Sequence, residues 1–269
     1  MPPEIERRLV AKYGLDLPIQ EQLARYLGGL VVGDFGPSMT YKDKTVIEII
    51  AEGAPTSAIL GLGAMALALL VGGGLGVMAA LRQNRLQDYA VMALAIAGVC
   101  LPPLVVGPIM QLFFGVQWGL LPSQGLHRDE FGLAYLILPI ITLSLPLIAI
   151  ISRLMRASMI EALRSNAIRT ARAKGLSERA VVIRHALRNA LIPVVTVIGL
   201  DFGAYLTGSI LTETIFSWPG IGRYVVMAIS RRDLPAVQGS VLFLSVVFVV
   251  VNLLTDVAYG QVDPRVRAK

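Results

Sequence analysis

Five stretches of the chain, 54–81, 89–115, 131–152, 190–212 and 234–255, are built almost wholly from apolar and small residues, and four of them contain no charged residue. Each is long enough for the roughly 20 residues that a helix needs to cross a bilayer core. Lipid offers no partner for a backbone amide, so such a run must satisfy its own N–H and C=O groups as a helix. A membrane barrel would instead require strands that alternate polar and apolar residues, which these runs do not do. The fold class this predicts is all-α, a polytopic membrane helical bundle with five spans. Gly72, Gly73, Gly74 and Gly76 in the first span allow another helix to approach closely, and Pro102 with Pro103 predicts a kink in the second.

Between the third and fourth runs the chain turns polar. From Arg153 to Pro193 it carries nine Lys/Arg against two Glu. Ile160, Leu163, Ala167 and Ala171 recur at helical spacing with Arg164, Arg169, Arg172 and Lys174 interleaved, which predicts one amphipathic helix from Met159 to Lys174. Gly175 ends it, because glycine tolerates the left-handed backbone of a helix stop. Ser177 and Glu178 then supply an N-cap and a first-turn negative charge for a second helix running toward Pro193. A helix, glycine turn and helix between two spans suits docking on a cytoplasmic partner. The same cluster also reads as a juxtamembrane patch that holds orientation and touches anionic lipid.

Composition narrows the remaining classes. A chain 55% hydrophobic and only 16% charged is too apolar for a soluble domain of 269 residues. The net charge of +6 resides in the basic hinge, and the rest of the chain is close to neutral, so a nucleic-acid surface is excluded. Cys100 is the only cysteine and His127 and His185 lie far apart, which argues against a disulfide or a metal site. No Gly-x-x-x-x-Gly-Lys-Ser/Thr loop, His-Glu-x-x-His helix or Gly-x-Ser-x-Gly elbow occurs, so phosphate-loop ATP hydrolysis and the common membrane-enzyme chemistries find no motif.

Residues 1–53, with eight acidic and six basic residues, form a polar head. Within it Ile5–Tyr13 and Pro18–Leu30 pattern as short helices, and Gly33-Asp34-Phe35-Gly36-Pro37-Ser38 as a turn. Orientation follows from Lys and Arg in the short loops. Arg82 and Arg85, the hinge, and Arg265, Arg267 and Lys269 mark the cytoplasmic ends, and the head, the 117–130 loop and the 213–233 loop face out. Asp201 is the one charge inside a span. A carboxylate is costly there, so it faces a substrate path, bonds to a neighbouring helix, or stays protonated. In a different class of protein, a proton-coupled secondary carrier, Asp201 would be the proton-binding group.

The hinge also carries a resemblance. Arg169-Thr170-Ala171-Arg172-Ala173-Lys174-Gly175-Leu176, followed by His185-Ala186-Leu187-Arg188-Asn189-Ala190-Leu191-Ile192-Pro193, resembles the EAA loop of ABC importer permeases in the form used by the peptide and nickel branch. The general pattern has Glu and Ala six and five residues before the glycine, where this chain has Arg169 and Thr170. Tyr13-Gly14-Leu15-Asp16-Leu17-Pro18, the Gly33–Ser38 turn and Tyr41-Lys42-Asp43 resemble the extracytoplasmic region of oligopeptide permease subunits of the B type. The segment from Thr212 through Trp218-Pro219-Gly220 to Arg223 is turn-rich and reads as a surface loop with an interfacial Trp. It and the closing Asp256-Val257-Ala258-Tyr259 with Asp263-Pro264-Arg265 resemble the same family.

What the resemblance implies is a type I ABC importer transmembrane domain over 54–258, with an extracytoplasmic head at 1–53, a cytoplasmic coupling loop at 153–189 and a cytoplasmic tail at 259–269. The family normally has six spans, with the first upstream of such a head, so this chain is expected to lack the first of the six. Asn166, Arg169, Thr170, Ala171, Arg172, Ala173, Lys174, Gly175 and Leu176 would form the coupling helix, seated in a groove of an ATPase subunit. The implied partners are a second homologous permease, two ATP-binding cassette ATPases and an extracytoplasmic binding protein. The chain itself would bind no cofactor, ATP and Mg²⁺ residing on the ATPases. The implied location is the bacterial cytoplasmic (inner) membrane, and the implied substrates are short peptides, although nickel chelates and glutathione share the branch.

Overall fold

The computed structural model describes residues 16–41, 44–125, 132–206 and 210–262. The head contributes α1 (Ile19–Val31), which covers the expected Pro18–Leu30 helix, whereas Ile5–Tyr13 lies outside the described residues. In the turn that follows, Gly33 and Gly36 take φ of 79° and 84°, left-handed backbone that the glycines adopt without a Cβ clash.

Thr45 starts α2 (Val46–Leu81). Its hydroxyl accepts from the Glu48 N–H at 3.4 Å, and the Glu48 carboxylate accepts from the Thr45 N–H at 2.9 Å, a reciprocal capping box. The helix therefore begins upstream of Ala54, where the apolar run begins. Glu48 and Glu52 ride on its exposed side while Val46, Ile49 and Ile50 face inward. At the far end α3 (Leu86–Cys100) and α4 (Pro103–Met110), the latter continuing as a π-helical stretch Gln111–Gln117, form one apolar pair bent by 99°. Leu101 is extended (ψ 111°), as the residue before a proline prefers, and Pro102 is extended too (ψ 137°), so the expected kink is a full break.

A short 3-10 turn leads into α5 (Ile137–Arg164), and α6 (Asn166–Ala173) follows. α7 (Glu178–Ala180) passes through a π-helical stretch Val181–Ala186 into α8 (Leu187–Leu206), so the helix expected to run toward Pro193 continues through it. Then come α9 (Ile210–Ile215), α10 (Ile221–Ser230) and α11 (Leu234–Val262). Among the described residues four helical rods are long and apolar enough to cross a membrane: α2, α5 with its leading turn, α7–α8 and α11. The bent α3–α4 pair makes a fifth if it is one span. Leu94, Ile96, Val249 and Leu253 are each more than half exposed on α3 and α11. In water such faces would be a liability, but in lipid they are the required exterior.

The centre of the bundle is the crossing of α2 and α5. A Cβ on Gly72 would lie 2.8 Å from the Ile148 carbonyl oxygen. One on Gly76 would lie 2.6 Å from Met155 Cβ and from the Ser152 carbonyl oxygen. Four residues apart, the two glycines share one helix face and let the backbones meet. Gly73 and Gly74, expected to do the same, do not need to be glycine for this: Gly73 is buried but a Cβ there would meet only the Met155 methyl at 3.8 Å, and Gly74 is exposed with open space.

Asp233 ties the head to the last rod. Its buried carboxylate accepts from Ser38 Oγ at 2.5 Å, from the Thr40 N–H at 3.0 Å and from the Ala236 N–H at 3.2 Å. It thereby caps α11 and clamps the 38–40 loop. Burial by itself would raise this carboxyl, but the donors from Ser38, Met39, Thr40 and Ala236 outweigh it and hold it below the usual carboxylate value.

Gly76→Leu is expected to destabilise the solubilised protein by about 1–3 kcal/mol through overpacking, with Gly74→Ala neutral. Thermal denaturation followed by size-exclusion chromatography reads both. Since the Asp233 carboxyl titrates lower folded than unfolded, its stabilisation is complete at neutral pH and is lost as pH falls below about 4. Asp233→Asn should reproduce that loss at neutral pH, as faster hydrogen exchange in residues 38–41.

Candidate coupling segment

The basic hinge folds as two helices around a turn, but with a phase its apolar spacing does not give. α5 stops at Ser165, whose ψ of 153° is extended, and α6 starts afresh at Asn166. The expected continuous helix from Met159 to Lys174 is thus broken. An extended residue resets the angular phase of about 100° per residue, so Ile168 and Ala171 point inward, 0% and 6% exposed, whereas Ala167 is exposed. Ser165 makes no cap hydrogen bond, and its hydroxyl is buried without a partner among the described residues. What holds α6 down is the burial of Ile168 in one cluster with Met155, Met159, Val181 and Ala186.

Gly175 ends α6 as expected. Its φ is 75°, its N–H donates to the Arg172 carbonyl at 2.9 Å, and the Leu176 N–H donates to the Ala171 carbonyl at 3.4 Å, the paired bonds of a Schellman stop. Ser177 then caps α7 by accepting from the Ala180 N–H at 3.4 Å. The Arg172 guanidinium forks onto the Glu178 carboxylate at 2.7 and 3.1 Å, bridging the turn from helix to helix. Of the expected coupling residues, Asn166, Arg169, Thr170, Arg172, Ala173, Lys174, Gly175 and Leu176 are exposed, and Ala171 is a packing residue. The result is a short helix with a solvated outer face and an anchored inner one.

Two supports were not evident from the sequence. Asp88, buried in the first turn of α3, receives both Arg156 Nε and Nη2, the latter at 2.7 Å, together with the Asn84 N–H at 2.9 Å. Arg164 Nη2 donates to Gln83 Oε1 at 3.3 Å. The loop after α2 is thereby strapped to the stem of the hinge, and Arg156 is no longer available to a partner. The only signal in the sequence is a lone carboxylate opening an apolar run, which also describes an ordinary helix start.

At the other end of the bundle, the 212–223 segment is not the surface loop with an interfacial Trp that its turn-rich sequence suggests. Phe216 and Trp218 are each 1% exposed, and Trp218 Nε1 donates to the Thr56 carbonyl at 3.1 Å. Glu213 is fully buried, with Ser57 Oγ at 2.7 Å and the Arg223 N–H at 3.0 Å donating to it, while burial pushes its carboxyl up. Glycine at 220 is what lets this carboxylate fit, since a Cβ there would sit 2.4 Å from Glu213 Oε2. Asp201 lies on the backbone of α8, and its side chain is outside the described residues.

Several membrane-length apolar rods, joined at the hinge by one short basic helix with an exposed outer face, define a multi-pass membrane protein. Residues 72–268 match the family of the binding-protein-dependent transport system inner membrane component, and the chain belongs to that family. Its members are non-catalytic permease subunits of ABC importers in the inner membrane, working with ATPase and substrate-binding protein partners. The chain is 43% identical over 267 residues to the oligopeptide transport system permease protein OppB of Salmonella typhimurium, covering 99% of this chain and 87% of that protein. It is 41% identical to the dipeptide transport system permease protein DppB of Escherichia coli strain K12, with 99% and 86% covered. Among solved structures, an inward-facing form of the MetNI methionine ABC transporter superposes with a TM-score of 0.66 at 16% identity, covering 81% of this chain and 97% of that one, which shows a shared fold.

Replacing Arg156 by Gln leaves the buried Asp88 carboxylate unpaired and is expected to cost about 3 kcal/mol. The double replacement with Asp88→Asn should recover part of that loss. A double-mutant cycle in thermal stability gives the coupling, and strictly additive single effects would show that the strap contributes nothing.

Proposed function

We propose that this chain is the permease subunit of an ATP-driven, binding-protein-dependent importer of short peptides. It supplies half of the translocation pathway, the other half coming from a second, homologous permease. Two ATPase subunits carry ATP and Mg²⁺, and an extracytoplasmic binding protein delivers substrate. The observation that carries the coupling role is the build of α6, an exposed basic face on a helix whose inner side is packed into the bundle core. Ile168 and Ala171 hold its inner side, the Schellman stop closes its end, and the Arg172–Glu178 fork joins it to the α7–α8 rod. Displacement of such a helix by closing ATPases would pass to α5 and α8 as a rigid-body motion. The peptide assignment is supported by the oligopeptide and dipeptide permeases to which nearly the whole chain is similar. Asp201, on α8, is the candidate residue of the substrate path in this reading.

The test follows from the exposure pattern. Ala173→Glu and Ala167→Glu place bulk and negative charge on the outer face of α6 without touching its packed side. Both are expected to yield a folded permease that loses its ATPase subunits on copurification from native membranes, while the second permease is retained. Intact copurification of the ATPases with both variants would move the coupling site elsewhere.

A further inference from the structure

The rod that follows the coupling turn carries a second basic surface, separate from the outer face of α6. Ser177, Arg179, Ala180, Ile183, Arg184 and Arg188 line an open groove of about 600 Å³. Arg179, Arg184 and Arg188 are all exposed and line it together, so one side of the rod presents three guanidinium groups. None of these three arginines has an ion pair among the described residues. The neighbouring carboxylate, Glu178, is engaged by Arg172. We propose that this groove binds the phosphate of an anionic lipid headgroup in the leaflet on the hinge side of the membrane.

The position of the groove along the rod selects a lipid rather than an acidic protein surface. α7–α8 is continuous through the π-helical stretch into the uncharged run that begins at Ala190. Arg188 and Arg184 precede that residue by about 3 and 9 Å along the helix, and the headgroup zone on each side of a bilayer is on the order of 5–7 Å deep. With the reach of an arginine side chain, both guanidinium groups meet the phosphate level, and Arg179 stands just beyond it. Ile183 is 53% exposed in the middle of this charge. An apolar side chain ringed by arginines suits the boundary between headgroup and acyl chain, where apolar contact and phosphate attraction act together. Arg169 and Lys174 of α6 remain free for a protein partner, so the two surfaces divide the hinge between bilayer and ATPase. This inference goes beyond the coupling role and needs only that α7–α8 enters a membrane at its hinge end.

Native mass spectrometry of the full chain in mild detergent, with added phosphatidylglycerol or phosphatidylcholine, tests it. The wild type is expected to retain phosphatidylglycerol preferentially. Arg179→Gln, Arg184→Gln and Arg188→Gln combined should weaken that retention by about fivefold for each arginine removed, and Arg169→Gln with Lys174→Gln on α6 should leave it unchanged. Arg184→Gln alone, with an expected loss of about fivefold, serves if the triple variant does not fold. Excess inorganic phosphate should fail to displace the lipid. Equal retention of the two lipids, wild-type retention by the groove variants, equal loss in the α6 control, or displacement by free phosphate or by an acidic peptide would each overturn the proposal. ATPase copurification is a separate readout, so failure here leaves the coupling reading untouched.

Discussion

The approach of α2 to α5 at Gly72 and Gly76 is the contact on which the other packing of the bundle rests. Because no side chain intervenes, the two backbones lie close enough for Ile148, Ser152 and Met155 to pack directly against the glycine face. Lipid supplies no hydrophobic drive for helix association, so close van der Waals contact of this kind must provide much of it. The cluster of Leu147, Ile151, Met155 and Met159 continues along α5 into the hinge, where Ile168 and Val181 join it. The seat of α6 is thus an extension of the same core.

A second regularity runs through the buried charges. Asp88, Glu213 and Asp233 are each essentially inaccessible and each is met by several donors: a guanidinium fork, a hydroxyl with a backbone amide, and a hydroxyl with a row of backbone amides. Such groups are tolerated only when their hydrogen bonds are complete. All three join segments far apart in sequence. Asp88 holds the loop after α2 to the hinge stem, Glu213 holds the 212–223 segment to α2, and Asp233 holds the head to the last rod. The two ends of the bundle are pinned by polar clamps and its middle by close packing.

Much of this was legible in the residues. The apolar runs gave the helical membrane class, Gly175 and Ser177 gave the stop and restart in the hinge, and the Gly-Asp-Phe-Gly sequence gave the head turn, because each rests on local backbone chemistry. The inner face of α6 is not legible: apolar spacing selects Ala167 where the structure buries Ile168, since periodicity assumes an unbroken helix and Ser165 interrupts it. The place of Trp218 is hidden for a related reason. A Trp beside a Pro-Gly turn patterns as an interfacial anchor, and only the docking of that segment on α2 shows its indole covered, with its N–H on the Thr56 carbonyl.

By itself the sequence determined what the solvent must be and where the chain could bend. Uncharged runs of membrane length leave helices as the only satisfied backbone, and glycine, proline and capping residues act within a few positions of themselves. The tertiary structure decided which glycines of a cluster touch a neighbour, which arginines of a basic hinge are spent internally and which face outward, and which carboxylates are buried. Those outcomes depend on partners tens to hundreds of residues away, Asp88 with Arg156, Ser57 with Glu213, Ser38 with Asp233. Such pairings are fixed by how the rods cross, and no local pattern carries that information.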